Sequence, residues 1–456
     1  MDKIYLYTKS SCNSCLMLKK YLKYHEIDFT EINIEESNKS DSFISQIKYV
    51  PVIKFNSYTI SGLDITKINK LFNIPNCKHS SVYLDHASTT KIKKEVLDEM
   101  DPYFKKYFSN PSSIYSISCK TKSAIENARL EVAKFLNCDT NEIYFTSGGS
   151  EANNTAIKGI AFANINKGNH IITSVIEHKS ILNTCKFLEK IGFEITYLPV
   201  DKYGKISLNQ LKKSITNDTI LISIMYANNE IGTIQDINEI SKIAKKNNIY
   251  FHTDAVQAIG KLHIDLKNSN IDILSLSAHK FYGPKGIGAI YLKSNVSIEP
   301  LIHGGGQKNN VRSGTENIPY IVGLGKAIKI ISQNKKTGYK VKELTDYFIS
   351  QLQYNIKGVK INGHIVDNLP GYINVTFTKL NTIDIDTFKF MLDCNNIYVS
   401  SGSACNELAL EQSHVLKSIG LSDNDIKNTI RFTIGEENSK EDIDYTIEII
   451  NKILLI

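Results

Sequence analysis

Five short apolar runs alternate with helical segments between residues 142 and 278, and this alternation constrains the fold more than any other feature of the sequence. The runs are EIYFTS, HIITS, ILISIMYA, IYFHTDA and DILSLSA. One segment between them carries apolar residues at helical spacing, at Ile237, Ile240 and Ala244. Apolar runs separated by helices predict a mostly parallel sheet that is covered on both faces. Ligands of such sheets bind beyond the carboxyl ends of the strands, so we expect the chemistry there.

Two smaller units flank this predicted sheet. The first 75 residues are typical of a β-α-β-α-β-β-α unit that is large enough to fold alone. A polar stretch follows, and we place a linker at residues 76–81. We predict a large domain over residues 82–338, whose first segment joins the small domain. Residues 339–456 are predicted to form that small α/β domain, closed by a C-terminal amphipathic helix.

The composition excludes several classes of protein. The 456 residues include 54 Lys and Arg against 47 Asp and Glu, and a net charge of +7 spread along the chain is weak evidence for nucleic-acid binding. No apolar run approaches the roughly 18 residues of a membrane span. The N-terminus lacks the apolar block of a signal peptide. We therefore predict a cytoplasmic protein, in which eight cysteines do not form a disulfide framework.

Lys280 stands two residues after the apolar run DILSLSA. A lysine at the carboxyl end of a buried strand lies where a ligand would bind. Its amine can form a Schiff base with an aldehyde when burial or nearby cations lower its pKa. Taken alone, Lys280 could equally be a surface lysine at a strand end.

Two further features strengthen the catalytic interpretation of Lys280. Gly149 and Ser150 follow the run EIYFTS at a predicted helix start, where free backbone amides bind anions. Asp254 ends another run, and its carboxylate could hold a protonated pyridine nitrogen. Helix capping is the alternative explanation for each. An aldehyde-binding lysine, a phosphate site and an acidic partner together fit pyridoxal phosphate.

From residue 82 to the C-terminus the chain resembles the pyridoxal-phosphate-dependent cysteine desulfurases, a class V aminotransferase-like family. The motifs that carry the resemblance are NPSS, FTSGGSEANN, EHKSI, NNEIGTIQ, HTDAVQAIGK, SAHKFYGPKGIGA, HGGGQKNNVRSGT, SSGSAC and IRFTIG. The resemblance implies a fold-type I transferase, with a large, mostly parallel α/β domain and a small C-terminal α/β domain.

The resemblance also implies roles for residues around the cofactor ring. Lys280 corresponds to the lysine that forms the Schiff base and moves the substrate α-proton. His178 is implied to stack on the ring and to assist proton transfer. Asp254 is implied to pair with the ring nitrogen, and Gln257 to bond the ring hydroxyl.

Other matching positions are implied to hold the phosphate and the substrate. The phosphate ligands within the subunit are Gly149, Ser150, Ser277 and His279. Thr315 resembles a residue that reaches the phosphate from a second subunit, which implies a homodimer. Asn229 is implied to lie beside the cofactor. Together with Arg431, it is also implied to hold the carboxylate of the amino acid. Arg suits that role because its guanidinium grips a carboxylate at two points.

Cys405, in the sequence SSGSACNELALEQS, corresponds to the cysteine that takes sulfur from the substrate. The implied reaction converts L-cysteine to L-alanine and leaves a persulfide on Cys405. The sulfur would pass to an acceptor protein, either a scaffold for iron–sulfur clusters or a thiolation enzyme. No resident metal is implied, although Cys405 could transiently bind a cluster.

Cys12 and Cys15 form a CxxC pair between a predicted strand and helix. The positive end of a helix stabilises a thiolate there. Half a zinc site is the alternative, but no second CxxC or His pair accompanies it. Together with the downstream sequences YVPVIKF and SYTISGLD, the pair makes the first 75 residues resemble glutaredoxin, a thioredoxin-fold dithiol carrier. The resemblance implies that Pro51 is a cis proline beside the disulfide.

We hypothesise that this dithiol reduces or accepts the Cys405 persulfide, with Cys12 attacking and Cys15 resolving the mixed disulfide. A thiol reductant or glutathione would recycle it. Alternatively, the domain only keeps thiols reduced, or binds glutathione or a cluster. The remaining cysteines match no motif and are interpreted as packing or incidental residues: Cys77, Cys119, Cys138, Cys185 and Cys394.

Two other functions remain open at the level of sequence. A selenocysteine lyase would use the same scaffold, and these residues do not distinguish sulfur from selenium. The second alternative belongs to a different class: a redox or cluster-carrier protein whose larger half is degenerate. The presence of the full set argues against it: Lys280, Asp254, His178 and Cys405.

Overall fold

The structure is a computed structural model, which describes residues 3–37, 41–75, 80–305, 310–334, 336–380, 383–401 and 412–455. Cys405, Cys77 and most of the predicted linker lie outside these ranges. Among the residues within them, no helix is long and apolar enough to cross a bilayer.

The N-terminal unit is a four-stranded mixed sheet with two helices. Its elements are β1 (Ile4–Thr8), α1 (Asn13–Tyr24), β2 (Thr30–Asn33), β3 (Val52–Phe55), β4 (Tyr58–Ser61) and α2 (Ile65–Phe72). The strand order is β2-β1-β3-β4, with β1 parallel to β2 and antiparallel to β3. The prediction of a helix between the second and third strands is wrong: the described part of the segment between β2 and β3 contains only a 3-10 turn, Ile44–Gln46. Asp64 caps α2 by accepting from the backbone N–H of Lys67.

The large unit alternates strands and helices as predicted. Its elements are β5 (Val82–Tyr83), α3 (Lys94–Met100), α4 (Pro102–Lys105), α5 (Ser116–Leu136), β6 (Ile143–Thr146), α6 (Gly149–Ala163), β7 (His170–Ser174), α7 (Lys179–Glu189), β8 (Glu194–Leu198), α8 (Leu208–Ser214), β9 (Thr219–Ser223), α9 (Ile237–Lys246), β10 (Tyr250–Asp254), β11 (Ile273–Ser277), β12 (Gly288–Leu292) and α10 (Ile318–Gln333).

Seven of these strands form one sheet in the order β6-β12-β11-β10-β9-β7-β8. Strand β12 is antiparallel to β11 and β6, whereas β11, β10, β9, β7 and β8 pair in parallel. The prediction of a mostly parallel sheet is therefore confirmed. The sequence analysis did not identify β8 and β12.

Both faces of this sheet are buried, because neighbouring residues of each strand enter opposite cores. Ile222 and Leu274 pack with α5, α9 and α10 on one face. Leu221 and Ile273 pack with α6 and α7 on the other. Burial on both sides explains why the sequences of these strands are continuous apolar runs and do not alternate between apolar and polar residues. The polar ends of the strands are left at the rim of the sheet.

The C-terminal unit is a small three-stranded sheet covered by helices. Its elements are α11 (Lys336–Asn355), β13 (Val359–Asn362), β14 (Tyr372–Phe377), α12 (Ile385–Cys394), β15 (Ile397–Tyr398), α13 (His414–Ser418), α14 (Asp423–Lys427), β16 (Thr429–Thr433) and α15 (Lys440–Leu454). Its sheet is antiparallel, in the order β13-β14-β16. Strand β15 pairs in parallel with β5, so the first segment after residue 80 contacts this unit.

Candidate active site

An open cavity of about 270 Å³ lies at the carboxyl ends of β10 and β11. Ten of the predicted site residues line it: Gly149, Ser150, His178, Asn229, Asp254, Gln257, Ser277, His279, Lys280 and Arg431. Thr315 is exposed and does not line the cavity. Among these ten residues, Gly149 and Arg431 are the farthest apart in the chain, separated by 282 positions.

Lys280 reaches the cavity because β11 ends at Ser277 and a 3-10 turn, Ala278–Lys280, follows it. The Nζ atom of Lys280 donates to the carbonyl oxygens of Ala87 at 2.6 Å and Ser88 at 2.7 Å. These carbonyls belong to the segment after β5. Two backbone acceptors thus hold the amine at the cavity wall, and the sequence analysis did not identify them.

The electrostatic surroundings favour the neutral form of this amine. Burial lowers the pKa of Lys280 to about 7, and the positive charges of Arg431 and Lys261 contribute in the same direction. Asp85 and Asp254 oppose this shift in part. A neutral amine is the form that attacks an aldehyde.

Asp254 ends β10, and both of its carboxylate oxygens are fixed. Asn153 donates to one of them at 2.8 Å, and the backbone N–H of Val256 donates to the other at 2.9 Å. Asn153 comes from α6 and is itself buried. Its place within the motif FTSGGSEANN was the available signal, but only the fold shows that it holds the carboxylate.

The start of α6 forms a cradle that suits a phosphate group. Gly148 precedes the helix at φ +148°, a conformation that few side chains tolerate. A Cβ atom at Gly149 would lie 2.8 Å from a methyl group of Val256 and would close the cradle. The free amides at this helix start face the cavity with Ser150, so they could bind the oxygens of an anion. The residues present therefore fit pyridoxal phosphate.

His178 caps the start of α7 while its ring lines the cavity. Its Nδ1 atom accepts from the backbone N–H of Ser180 at 3.2 Å and lies 2.8 Å from the Ser180 hydroxyl. Burial lowers the pKa of His178, although Asp254 opposes this shift. A neutral ring can stack on a cofactor without repelling Lys280 or Arg431.

Arg431 is almost fully buried in the middle of β16. Its Nη2 atom donates to Asp85 at 2.7 Å and to Ser88 at 2.9 Å, and its Nη1 atom donates to the Asn229 carbonyl at 2.9 Å. The Nε atom has no hydrogen-bond partner among the described residues. Arg431 thus keeps donor capacity at the cavity. Asp85 was not among the predicted site residues.

Gln257 is held on both sides in this structure. Its Nε2 atom donates to the Ala87 carbonyl at 3.1 Å, and its Oε1 atom accepts from the hydroxyl of Tyr372. Tyr372 belongs to β14 of the small unit, so this pair also joins the two units across the cavity.

The segment that contains Cys405 is attached to the site at both of its described ends, although Cys405 itself lies outside the described residues. At one end, the backbone N–H of Arg431 donates to the Ser400 carbonyl at 2.7 Å. At the other, Ser413 donates to the buried Glu230 carboxylate at 2.5 Å. His414 contacts the carbonyl of Glu177, which precedes His178, at 3.0 Å.

Cys12 and Cys15 lie at the start of α1 and form a disulfide. Cys12 is the N-cap residue, and its sulfur accepts from the backbone N–H of Cys15 at 3.1 Å. The Val50–Pro51 peptide bond is cis, as expected, and the Val50 carbonyl lies 4.0 Å from the Cys12 sulfur. Cys15 is buried, whereas Cys12 is partly exposed.

The other described cysteines differ from this pair. Burial raises the pKa of Cys138, Cys185 and Cys394 to about 12, so these thiols are poor nucleophiles. Cys119 is exposed and unbonded to any sulfur. Among the described residues, no group of His, Cys, Asp and Glu could hold a metal ion.

Known proteins match both parts of the chain. The family described as Aminotransferase class-V matches residues 82–446, and the family Glutaredoxin matches residues 4–57. "Cysteine desulfurase IscS" of Clostridium botulinum is 52% identical over 379 residues, covering 82% of this chain and 95% of that protein. The protein of the same name from Methanosarcina thermophila is 50% identical over 378 residues, covering 83% and 93%.

Solved structures match the same region. A protein titled "NIFS-LIKE PROTEIN" is 37% identical, with a TM-score of 0.77, and the match covers 82% of this chain and all of that one. A structure titled "SspA in complex with cysteine" is 41% identical, with a TM-score of 0.70, and the match covers 79% and 100%.

From the lowered pKa of Lys280 we predict how the cofactor-free protein captures pyridoxal phosphate at different pH values. Because only the neutral amine attacks an aldehyde, the rate of capture of pyridoxal phosphate should rise with pH around a midpoint near 7. Lys261→Met removes a nearby positive charge and should move this midpoint upward. The growth of the yellow absorbance across a pH series measures both. A midpoint near the ordinary lysine value of 10.5 in the unaltered chain would contradict the prediction.

Proposed function

Because this chain belongs to the aminotransferase class-V family, and is a pyridoxal-phosphate-dependent cysteine desulfurase that carries a glutaredoxin domain, we propose that the predicted residues of its cavity divide the reaction among them. The observation that carries the proposal is the convergence of ten predicted residues on one cavity, to which the segment of Cys405 is attached at both ends.

Each part of the cavity suits one part of the cofactor. Lys280 would hold its aldehyde carbon, Asp254 its ring nitrogen, and Gln257 its ring hydroxyl. The phosphate would lie in the cradle formed by Gly149, Ser150, Ser277 and His279. Bound pyridoxal phosphate supplies an electron-withdrawing ring that acidifies the α-carbon of an attached amino acid. His178 would stack on that ring.

Arg431 and Asn229 would hold the substrate carboxylate. The Arg431 guanidinium is already oriented by Asp85, Ser88 and the Asn229 carbonyl, so little side-chain freedom is lost on binding. L-cysteine is the substrate that the activity requires, and the similar protein SspA has been solved with cysteine bound. The Lys280 amine would take the α-proton of the substrate with the help of His178, which lines the same cavity.

Cys405 would act as the nucleophile. Its thiolate attacks the sulfur of the bound cysteine, a new S–S bond forms, and the carbon–sulfur bond breaks. The carbon fragment takes up one proton at its β-carbon, regains the α-proton from Lys280 and leaves as L-alanine, while Cys405 keeps the sulfur as a persulfide. Cys405 is four residues from Ser401, so it can lie up to ~14 Å from that residue. Because Ser400 is bonded to the backbone of Arg431, this reach supports an attack on a substrate that the Arg431 side chain would hold.

Replacing the nucleophile tests this assignment. Cys405→Ser should lower alanine formation from L-cysteine by roughly a thousandfold or more, because loss of a catalytic nucleophile has an effect of that order or larger. The yellow absorbance should remain, since Lys280 is intact. The exposed Cys119→Ser is the matched control and should keep full activity. Normal alanine turnover in Cys405→Ser would overturn the assignment.

The N-terminal dithiol would then act on this persulfide. The Cys12 thiolate attacks the inner sulfur, Cys405 becomes disulfide-bonded to Cys12, and the outer sulfur leaves as sulfide. Cys15 resolves this bond, which restores the Cys405 thiol and leaves the Cys12–Cys15 disulfide. Two equivalents of glutathione or another thiol reduce it again. The partly exposed Cys12 at a helix start and the buried Cys15 suit these two roles.

Cys12→Ser separates the two reactions. With glutathione as the reductant, sulfide release should fall well below that of the unaltered chain, because the attacking thiol is absent. Alanine formation should be unchanged when a strong external dithiol clears the persulfide. Equal sulfide release by both chains with glutathione would show that the dithiol takes no part.

A homodimer and a protein acceptor complete the proposal. Thr315 is exposed and away from the cavity, as a residue that serves a second subunit would be. Phe108, Ile114 and Tyr115 are also exposed, and apolar side chains grouped along one segment favour an association surface. The sulfur that is not released would pass to a cluster scaffold or a thiolation enzyme. A cytoplasmic location is part of the same proposal.

A further inference from the structure

A second, smaller cavity lies beside the candidate active site, between the large and small domains. Its volume is about 70 Å³, and its walls come from the segments after β5, β10, β11 and β16 and from helices α10 and α11. Apart from Lys280, none of the residues predicted to hold the cofactor or the substrate lines it, so a ligand can bind here while the cofactor is in place. The titratable side chains that line this cavity are His86, Lys93, Lys261, Lys280, Tyr282 and Glu436.

His86 brings an unsatisfied hydrogen-bond donor to the cavity. The side chain is only 5% exposed, yet neither ring nitrogen has a hydrogen-bond partner among the described residues. Two polar groups near the ring bond each other instead, because the Asn438 side chain donates to the Tyr83 carbonyl at 3.2 Å. Burial lowers the pKa of His86 to about 4, so near pH 7 the ring is neutral and carries one N–H. Buried donors are normally bonded, which indicates an acceptor in the cavity.

Lys261 brings a positive charge to the same cavity without a carboxylate to balance it. Its Nζ atom donates to the Gln257 carbonyl at 3.3 Å and lies 5.9 Å from the centre of the Tyr372 ring. Burial lowers the pKa of Lys261 to about 8, and no carboxylate of the described residues opposes this shift. The amine is therefore still mostly protonated near pH 7. Buried charges in proteins are normally paired, so this ammonium group lacks a counter-charge.

The one carboxylate in the described lining of the cavity is already neutralised. Glu436 forms an ion pair with Lys93 at 2.5 Å. The Thr90 hydroxyl, which also lines the cavity, donates to the His279 carbonyl at 2.9 Å. The groups left with binding capacity are thus the Lys261 ammonium and the His86 N–H. Both are donors and one is positively charged, which is the combination that binds an anion.

We propose that this cavity is a binding site for a small monovalent anion of the halide type, held by the Lys261 ammonium and the His86 ring. Hydrogen bonds in which one partner is charged are among the strongest in proteins. A water molecule needs only ~10–15 Å³ of such space, so the cavity has room for a halide ion. Apolar side chains, including Ile259, Phe281 and Ile434, form much of the remaining wall and favour a weakly hydrated ion.

Comparing chloride with gluconate at constant ionic strength tests the site in the holoenzyme, because gluconate is much larger and more strongly hydrated. The unfolding temperature of the unaltered chain should rise as chloride replaces gluconate, since a ligand of the folded state stabilises it. In Lys261→Met the apparent dissociation constant of chloride should rise roughly 10- to 100-fold, as expected for the loss of a hydrogen bond to a charged group. Lys246→Met removes the same charge at an exposed position of α9 and should leave the chloride dependence unchanged.

Two further measurements keep the test independent of how Lys261→Met folds. His86→Phe removes the ring donor but keeps an aromatic ring of similar size, and it should weaken chloride binding about tenfold. Crystals of the unaltered holoenzyme in sodium bromide should show anomalous scattering from an ion in this cavity. That ion should lie within hydrogen-bond distance of both the Lys261 Nζ atom and the His86 ring.

Three results would overturn the proposal. The first is an equal unfolding temperature of the unaltered chain in chloride and in gluconate. The second is a chloride dependence that is unchanged in Lys261→Met, or in His86→Phe where Lys261→Met does not fold. The third is bromide bound only elsewhere on the protein, which would show adventitious ions and no site in this cavity.

Discussion

The site depends on the burial of one guanidinium between the domains. Arg431 belongs to the small domain, yet its donors bind Asp85 and Ser88 of the first segment and Asn229 of the large domain. The Ser88 carbonyl in turn accepts from Lys280. Removing one partner of a buried ion pair costs about 3–5 kcal/mol because the other charge is left unpaired, so the buried Arg431 guanidinium depends on Asp85. The positive charge of Arg431 also helps to lower the pKa of Lys280.

Arg431 is also bonded to the segment that leads to Cys405, the proposed nucleophile. The backbone of Arg431 pairs with Ser400, just before the segment of Cys405. The far end of that segment is held at Glu230, which follows Asn229. In the proposed function, Arg431 would thus orient the substrate carboxylate, and it also contacts the residues that hold Lys280 and the start of the Cys405 segment. The same small domain also packs against the dithiol helix, where the rings of Tyr21 and Phe390 lie 6.2 Å apart.

Much of the sheet and of the cavity could be predicted because the information is local. Lys280 and Asp254 directly follow strands that are buried on both faces and therefore read as uninterrupted apolar runs. Strand β8 was missed because it lies at the sheet edge and is only partly buried. Strand β12 follows a Gly-rich turn and resembles a loop. The second N-terminal helix was predicted wrongly, because short polar segments carry too little periodicity to separate a helix from a turn.

Other features depend on contacts that no local pattern encodes. Asp85 lies 346 residues from Arg431, and the Ala87 carbonyl lies 193 residues from Lys280. Asn153 holds Asp254 only because α6 crosses the end of β10. The contact between Tyr21 of α1 and Phe390 of α12 likewise joins two domains whose sequences show no sign of each other.

The most direct test of the account is to find where the sulfur resides after one turnover. The chain is incubated with one equivalent of L-cysteine in the Cys12→Ser background, thiols and persulfides are alkylated, and the peptides are analysed by mass spectrometry. The account predicts one additional sulfur atom on the peptide that contains Cys405, in an amount equal to the alanine formed. Alanine formed in full with no additional sulfur on that peptide would contradict it.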